Sequence, residues 1–239
     1  MQRKSKHLWL AVVAALVAAF TVFRVNEEPQ IWDRLADRFE PRIRLAPLPG
    51  ATPYSKDYDF SEDWFTFHIA VWNNALASFK GKPNIHYLEI GLYEGRSAIW
   101  MLENILTHPS ARLTGIDIFS GAVKERFLAN VERSGATDKV TTIIGYSQVE
   151  LRKLSLGSFD VIYIDGSHRA DDVLEDAVLS WRLLKEGGVL IFDDYRWNLH
   201  WPPEERPKIA LNAFRKFYGR HFEVIHDDYQ LIMRKNITR

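Results

Sequence analysis

The segment VIYIDGSHRADD, residues 161–172, joins a run of β-branched and aromatic residues directly to a polar cluster. Such a run predicts a buried strand, and the acid, glycine, serine and histidine that follow lie where that strand ends. Outward from this segment, apolar runs alternate with helical patterns from Gly81 onward and finish in a hairpin pattern, FEVIHDDYQLIMRK. The alternation predicts an α/β fold with a doubly wound, mostly parallel sheet of seven strands and an antiparallel C-terminal hairpin.

The composition limits the classes of function that the chain can have. Its 239 residues, 46% of them hydrophobic, suffice for one domain with a substantial core. The 31 basic and 31 acidic residues balance, so the composition argues against a nucleic-acid partner. Because cysteine is absent, disulfides, thiolate zinc sites and cysteine nucleophiles are excluded, and a bound metal must use oxygen or imidazole ligands.

The N-terminal part of the sequence differs from the rest. An uncharged apolar run, Leu8 to Phe23, follows a basic start and predicts a membrane anchor over residues 1–25. A cleavable signal peptide is the alternative, and the basic residues on both sides do not settle the orientation. Residues 26–60 contain five prolines and are predicted to be a linker, which leaves residues 61–239 as the folded domain.

The folded domain is predicted to begin with an amphipathic helix within residues 61–79. Phe65, Ile69, Trp72 and Leu76 recur at helical spacing and would form its buried face. Ser61 is a candidate cap for the first turn of this helix.

The ends of the predicted strands carry the candidate site residues, because an open parallel sheet binds ligands at the carboxyl ends of its strands. The first strand ends in LEIGLYEGRSA, where glycines in a tight turn let a ligand approach the backbone. Its G-x-x-x-G spacing does not meet the dinucleotide fingerprint, so NAD is poorly supported. The second strand ends in Asp117, whose carboxylate can accept hydrogen bonds from ribose hydroxyls.

Five segments in order carry a resemblance to a known family: LEIGLYEGRSA, LTGIDI, DKVTTIIGYSQVEL, FDVIYIDGSH and LLKEGGVLIFDDY. Together they resemble the class I S-adenosylmethionine-dependent methyltransferases, and among these the metal-dependent catechol and caffeoyl-CoA type O-methyltransferases and their bacterial relatives. The resemblance covers about residues 62 to 195. It implies a Rossmann-like methyltransferase fold and methyl transfer to a hydroxyl group.

The resemblance also implies roles for particular residues. One group would hold the cofactor S-adenosylmethionine around its methionine part: Glu89, Gly91, Tyr93, Gly95 and Ser97. Asp117 would bind the ribose, and Ser147 and Gln148 would lie beside the adenine. Asp165 would be shared between the amino group of the cofactor and a divalent cation, with Asp193 and Asp194 as the other metal ligands. Catechol-type enzymes usually have asparagine at the position of Asp194, so the added charge puts retention of the metal in question.

The chemistry of the three carboxylates also indicates a site for a divalent cation. Asp165, Asp193 and Asp194 offer hard oxygen ligands at the ends of neighbouring strands, which suits magnesium, with manganese or calcium as alternatives. Converging carboxylates repel one another, and a cation would offset that repulsion. In the alternative interpretation, Asp193 or Asp194 caps the following segment or pairs with Arg196.

His168 is the candidate general base. It lies three residues after Asp165, at the position that matches the catalytic lysine of catechol-type enzymes, and a neutral imidazole can accept a hydroxyl proton near pH 7. In the expected mechanism, the metal orients the acceptor and acidifies its hydroxyl, His168 removes the proton, and the oxygen attacks the sulfonium methyl. Asp165 and His168 are then the catalytic residues. The alternative is that Ser167 and His168 cap the next helix while the imidazole bonds to a carboxylate.

The acceptor is expected to be a small molecule, flat or apolar, or one associated with the membrane. Trp197, His200 and Trp201 follow the metal-ligand strand within residues 196–207, and with Trp64 and His68 they would form an aromatic wall. The alternative is that these side chains fill the core or lean towards a membrane, and for His68 alone a structural role is favoured.

The expected location follows from the cofactor, since S-adenosylmethionine is made in the cytosol. We therefore expect a single-pass membrane protein whose catalytic domain faces the cytoplasm. Two other classes remain open on the sequence: a non-catalytic subunit of a membrane complex that keeps the fold as a scaffold, and a sugar-nucleotide enzyme with a metal on Asp193 and Asp194.

Overall fold

The computed structural model describes residues 53–237 with the exception of Leu199. The predicted anchor, residues 1–25, and most of the predicted linker lie outside the described residues. Within the described part of the chain, no helix combines the length and the apolar composition needed to cross a bilayer.

One sheet forms the centre of the domain, and its strands follow the predicted pattern. In chain order the strands are β1 (His86–Ile90), β2 (Arg112–Asp117), β3 (Val140–Ile144), β4 (Phe159–Ile164), β5 (Leu184–Phe192), β6 (Phe222–Asp227) and β7 (Leu231–Lys235). The spatial order is β3-β2-β1-β4-β5-β7-β6. Strands β1 to β5 are parallel, whereas β7 runs antiparallel to β5 and β6. The predicted seven-stranded sheet with an antiparallel C-terminal pair is confirmed.

Helices cover both faces of this sheet. The α-helices of the described residues are α1 (Ile69–Ala75), α2 (Arg96–Asn104), α3 (Val123–Ser134), α4 (Ser147–Glu150), α5 (Ala170–Leu183) and α6 (Pro207–Tyr218). Short 3₁₀ turns lie at Thr66–His68, Thr137–Lys139, Leu151–Lys153, Pro203–Glu205 and Gly219–His221.

The alternation of side chains along the central strands separates two apolar cores. Tyr87 and Tyr163 point into the first core, where they meet Trp72 and side chains of α1, α2 and α3. Ile162 points to the opposite face and packs with Trp181 and other side chains of α5 and α6. Since successive residues of a strand face opposite sides, a sheet covered on both faces needs the near-continuous apolar runs seen in the sequence.

The first helix of the domain begins later than the sequence predicts. A 3₁₀ turn precedes α1, and Asp63 takes the capping role expected of Ser61, because its Oδ1 accepts from the Thr66 backbone N–H at 2.9 Å. Ser61 donates instead to Glu94, from its backbone N–H at 2.6 Å and from its Oγ at 2.7 Å. The long-range partner therefore overrides the local capping preference of serine.

Residues 54–60, which the sequence assigns to the linker, pack against α2 and α3 and are named here the N-terminal strap. Tyr58 donates its hydroxyl to Glu103 of α2 at 2.6 Å. The backbone of Asp59 exchanges two hydrogen bonds of 2.9 Å with the side chain of Asn130 in α3. The strap therefore fixes two helices that support the turn after β1. The domain boundary at residue 61 stays a prediction.

Candidate functional site

The turn between β1 and α2 brings the chain back across the carboxyl edge of the sheet. Gly91 has φ +86°, and a Cβ at this position would lie 2.0 Å from the carbonyl oxygen of Asp165. Gly95 has φ +84°, and its Cβ would lie 2.8 Å from the ring of Phe127. Both glycines are therefore required by the backbone conformation and by close neighbours. Tyr93, with φ +47°, also adopts a left-handed conformation that is uncommon for an aromatic residue.

Glu89 lies beneath this turn and is fully buried. Its carboxyl group accepts hydrogen bonds from the hydroxyls of Ser97 and, at 2.9 Å, Tyr87. Burial raises the pKa of Glu89 to about 8, against the opposing effect of these two hydrogen bonds. The carboxyl group is therefore largely protonated at neutral pH, and a nearby cationic ligand would favour its ionised form.

Asp117, at the end of β2, connects the second strand to the glycine turn. Its Oδ2 accepts from the backbone N–H groups of Leu92 (2.7 Å) and Tyr93 (2.9 Å), and its Oδ1 accepts from Phe119 N–H at 2.6 Å. The side chain is half-buried, and each carboxylate oxygen has two acceptor positions. Asp117 therefore lies next to the turn that the resemblance assigns to the cofactor, with Oδ1 able to accept a further hydrogen bond.

The two residues expected beside the adenine, Ser147 and Gln148, begin α4 and are bonded to carboxylates of α5. Ser147 Oγ donates to Asp176 Oδ2 at 3.0 Å, and Gln148 Nε2 donates to Asp172 Oδ1 at 3.4 Å. Asp176 is buried, and its Oδ1 has no hydrogen-bond partner among the described residues. Burial raises the pKa of Asp176 to about 7.

The predicted metal ligands lie at the ends of the neighbouring strands β4 and β5. The hydroxyl of Tyr163 contacts both Asp165, at 3.0 Å, and Asp193. Burial raises the pKa of Asp165 well above its usual value, with a further rise from the charges of Asp193 and Asp194. Burial, followed by the charge of Asp194, raises the pKa of Asp193 to about 7. One hydroxyl proton cannot serve two ionised carboxylates, so these contacts agree with a proton shared within the group.

Asp194 lies between two potential hydrogen-bonding partners. Its Oδ1 accepts from the hydroxyl of Tyr229 at 2.6 Å, and its Oδ2 lies 2.6 Å from Nε2 of His168. One ligand atom each from Asp165, His168 and Asp194 lies within 4.8 Å of the others, a grouping that could hold a metal ion. The side chain of Asp193 faces Tyr163 and the backbone N–H of Asp194 instead.

The alternative interpretations of these acids are partly met. Asp193 does accept from the backbone N–H of the next residue, at 2.8 Å, as a local cap would. Arg196 lies 3.2 Å from Asp228, which is not one of the predicted ligands.

His168 has the surroundings of a polarised imidazole. Burial lowers its pKa, but the hydrogen bond to Asp194 and the charges of Asp194 and Asp193 outweigh burial, so the net pKa is raised. In the neutral ring, Nε2–H donates to Asp194 and the lone pair lies on Nδ1, as inferred from the hydrogen-bond partner. Of the capping alternative, only the contact between the imidazole and a carboxylate is present. Helix α5 begins without a side-chain cap, and Ser167 Oγ donates to the carboxylate of Asp172 at 2.6 Å.

His68 lies beside the acidic group, on the side of the sheet that faces the first core. It is 5% exposed, its ring stacks near Tyr229, and its Nε2 has no hydrogen-bond partner within the described residues. Nε2 lies 3.7 Å from Asp193 Oδ1, but burial lowers the pKa of His68 to about 3, so this contact is not an ion pair at neutral pH. The favoured structural role of His68 agrees with its burial.

Aromatic side chains lie along the opening of the site. The ring of Trp197 is 4.5 Å from that of His168 and 5.1 Å from that of Trp201, which is 42% exposed. On the other side, Trp64 is 56% exposed and its ring lies 5.2 Å from that of Tyr93. The half-buried ring of Trp197 and the exposed rings of Trp64 and Trp201 can contact a flat or apolar ligand. His200 is also exposed to solvent.

Several residues of the site were not identified from the sequence. Tyr87 and Tyr163 each lie two positions before a site acid, so strand alternation places them on the same face as that acid. That spacing is a usable signal. Glu94, inside the glycine turn, is bonded to Ser61 and to Arg126. This contact joins distant parts of the chain and has no local signature.

The residues at the carboxyl edge fit the groups that a methyltransferase of this fold requires. The glycine turn, the half-buried carboxylate of Asp117 at the end of β2 and the polar start of α4 are the features that the resemblance assigns to the three parts of S-adenosylmethionine. Asp165 and Asp194 supply hard oxygen donors for a divalent cation, whose charge would offset their repulsion. Fold and site together define a class I methyltransferase.

Comparisons with known proteins agree with this class. A family profile described as a methyltransferase domain matches residues 88–195, the segment from β1 to the residue after Asp194. The chain is 31% identical over 172 residues to the uncharacterized protein R132 of Acanthamoeba polyphaga mimivirus, covering 67% of this chain and 75% of that protein. It is 36% identical over 148 residues to the catechol O-methyltransferase of Bos taurus, covering 57% of this chain and 51% of that enzyme.

A further relative supports the same family, and two solved structures support the same fold. O-methyltransferase hkm8 of Aspergillus hancockii is 32% identical over 180 residues, which cover 72% of this chain and 60% of that enzyme. The chain thus spans little more than half the length of these two named enzymes. A protein from Corynebacterium glutamicum superimposes with a TM-score of 0.60 at 14% identity, covering 94% of this chain and 99% of that one. The S-adenosylhomocysteine-bound methyltransferase PaMTH1 of Podospora anserina superimposes with a TM-score of 0.51 at 21% identity. The match covers 64% of this chain and 72% of that one.

The chain belongs to the class I S-adenosylmethionine-dependent methyltransferases. Within that family it resembles the O-methyltransferases, as the sequence motifs predict.

Proposed function

We propose that the chain transfers the methyl group of S-adenosylmethionine to a hydroxyl oxygen of a small acceptor, assisted by a divalent cation. The observation that carries this proposal is the contact between His168 and Asp194, 2.6 Å apart, beside Asp165 at the edge of the sheet. A base and two carboxylates this close together would all reach one acceptor hydroxyl, which supports the proposal.

The bound groups supply the reactive centres. S-adenosylmethionine carries an electrophilic methyl group on a sulfonium, and a divalent cation lowers the pKa of a hydroxyl bound to it. The chain supplies position and proton transfer. Asp194 holds the imidazole through Nε2, so Nδ1 of His168 takes the proton from the acceptor hydroxyl. Asp165, half-buried beneath the turn and next to Gly91, would hold the cation beside the cofactor.

Magnesium, with manganese or calcium as alternatives, suits the carboxylates of this site. Asp165 and Asp194 fit as ligands, and Asp193 would join them once its contact with Tyr163 is released. In this proposal the imidazole of His168 serves as the base rather than as a ligand.

The acceptor is proposed to be flat or apolar. Trp197 against His168 on one side, and Trp64 against Tyr93 on the other, support this choice.

We further propose that the N-terminal segment anchors the protein as a single-pass membrane protein with the domain on the cytoplasmic side, where the cofactor is made. Protease accessibility in sealed vesicles of known orientation tests that location; digestion of the domain from the non-cytoplasmic side would contradict it.

The first test of the chemistry is His168→Ala, with His221→Ala as the matched control. His221 is an exposed histidine just before β6, at the opposite edge of the sheet. We expect His168→Ala to retain binding of S-adenosylhomocysteine in calorimetry and to lose roughly 100-fold or more in turnover, whereas the control behaves as wild type. Turnover of His168→Ala equal to that of wild type would remove the residue from the mechanism.

Titration with S-adenosylhomocysteine, repeated with and without magnesium, separates the remaining classes. Binding together with methyl transfer to catechol-type acceptors supports the proposal. Binding without methyl transfer to any hydroxylated acceptor indicates a non-catalytic subunit of a membrane complex, and absence of binding contradicts a methyltransferase function.

A further inference from the structure

We propose that Asp172 is a positioning residue that orients the side-chain amide of Gln148 so that it recognises the exocyclic amine of adenine. The proposal deepens the proposed function and rests on it, because it takes S-adenosylmethionine as the ligand of this site. It assigns a role to a carboxylate outside the cofactor loops, and it explains how the site would distinguish adenine from a 6-oxo purine.

Asp172 lies in the first turn of α5 and joins two loops at the carboxyl edge of the sheet. Its Oδ2 accepts from Ser167 Oγ at 2.6 Å, and its Oδ1 accepts from Gln148 Nε2 at 3.4 Å. Ser167 belongs to the loop after β4, and Gln148 to the start of α4 after β3. One half-buried carboxylate therefore sets the spacing of the two loops on either side of the expected adenine position.

The contact with Asp172 also determines which end of the Gln148 amide is left for a ligand. An amide has a donor end and an acceptor end, whereas an ionised carboxylate only accepts hydrogen bonds. If the amide of Gln148 were reversed, its Oε1 would face Oδ1 of Asp172 without a proton between them. The arrangement with Nε2 towards Asp172 is therefore preferred, and Oε1 is left as an acceptor.

An acceptor at this position selects between purines. The 6-amino group of adenine donates a hydrogen bond, but the 6-oxo group of hypoxanthine accepts one and would be repelled by Oε1 of Gln148. A ligand edge that donates is therefore favoured at Oε1 of Gln148.

The test compares the binding of S-adenosylhomocysteine and its 6-oxo analogue, S-inosylhomocysteine, by calorimetry. Wild type is expected to prefer the adenosyl ligand by roughly tenfold or more, the worth of one hydrogen bond exchanged for an unpaired acceptor. In Asp172→Asn the new amide can donate to Gln148, which allows the glutamine to turn its own donor towards the ligand. The preference should then fall towards unity or reverse. Asp171→Asn is the matched control, since Asp171 is in the same turn but is exposed and lies 3.3 Å from Arg169.

A second variant shows whether the effect passes through the glutamine. Gln148→Met removes the acceptor and should by itself abolish the preference, and adding Asp172→Asn to it should change the ratio no further. An unchanged ratio in Asp172→Asn, or an equal loss of both affinities, would overturn the proposal while leaving methyl transfer intact. A wild-type ratio in Gln148→Met would also overturn it, even if Asp172→Asn does not fold. If wild type binds neither ligand, the proposed function itself fails.

Discussion

The buried carboxyl group of Glu89 leads to a prediction about how stability depends on pH. Glu89 is fully buried, and burial raises its pKa from 4.5 to about 8. The folded protein therefore binds this proton more tightly than the unfolded chain does. The resulting stabilisation is complete below pH 4.5 and is lost as the pH rises towards about 8.

Glu89→Gln removes this titration while keeping the shape of the protonated acid. At about 1.4 kcal/mol for each pH unit between the two pKa values, raising the pH from 5 to 7 costs wild type about 2.5 kcal/mol that the variant does not lose. The other buried acids contribute to both proteins and cancel in the comparison. Urea unfolding at both pH values, with the exposed Glu132→Gln as control, measures the difference.

The result that would refute this prediction is a difference in unfolding free energy that does not change with pH. If the free energies of unfolding of wild type and Glu89→Gln differ by the same amount at pH 5 and pH 7, Glu89 is not titrating in this range. The hydroxyls of Tyr87 and Ser97 would then hold the carboxylate ionised, in spite of burial.

Two further predictions concern the support of the glycine turn. Gly91→Ala forces a Cβ to within 2.0 Å of the Asp165 carbonyl oxygen at φ +86°, so we expect a loss of about 2–4 kcal/mol in unfolding free energy and weaker binding of S-adenosylhomocysteine. A loss below about 1 kcal/mol would show that the backbone can move apart at this point. Asn130→Ala leaves the backbone of Asp59 and the carbonyl of Glu94 without their amide partner, and we expect a loss of about 2–3 kcal/mol. If deletion of residues 54–60 lowers the unfolding free energy of wild type and of Asn130→Ala by the same amount, the amide does not hold the N-terminal strap.

Much of this structure could be predicted from local sequence because the sheet converts sequence order into spatial order. The apolar runs determine the strands, and each strand ends at the same edge, so Asp117, Asp165 and Asp194 are brought together by the topology alone. The positive φ angles of Gly91 and Gly95 are likewise local properties of the turn after β1. Such features need no knowledge of distant side chains.

The features that the sequence did not predict depend on contacts between residues far apart. Ser61 looks like a helix cap, but Glu94, 33 positions away, takes its hydrogen bonds, so the cap passes to Asp63. The sequence assigns the N-terminal strap to the linker, yet Asn130 and Glu103 pair with it across more than 40 positions. Local preferences are worth about 1 kcal/mol each, and a buried long-range partner readily outweighs them.

The acids of the site follow from the same balance between burial and partners. Each strand carries its acid to the edge of the sheet regardless of its charge, and burial there makes the ionised form costly. Tyr87 and Tyr163 reduce that cost on the side of the first core, and His168 reduces it on the side of the opening. Without a bound cation, each buried acid of such a site tends to keep its proton. A cationic ligand is favoured because its positive charge replaces that proton. A sulfonium cofactor and a divalent cation both supply such charge, which is why one cluster of carboxyl groups can suit both ligands of a methyltransferase.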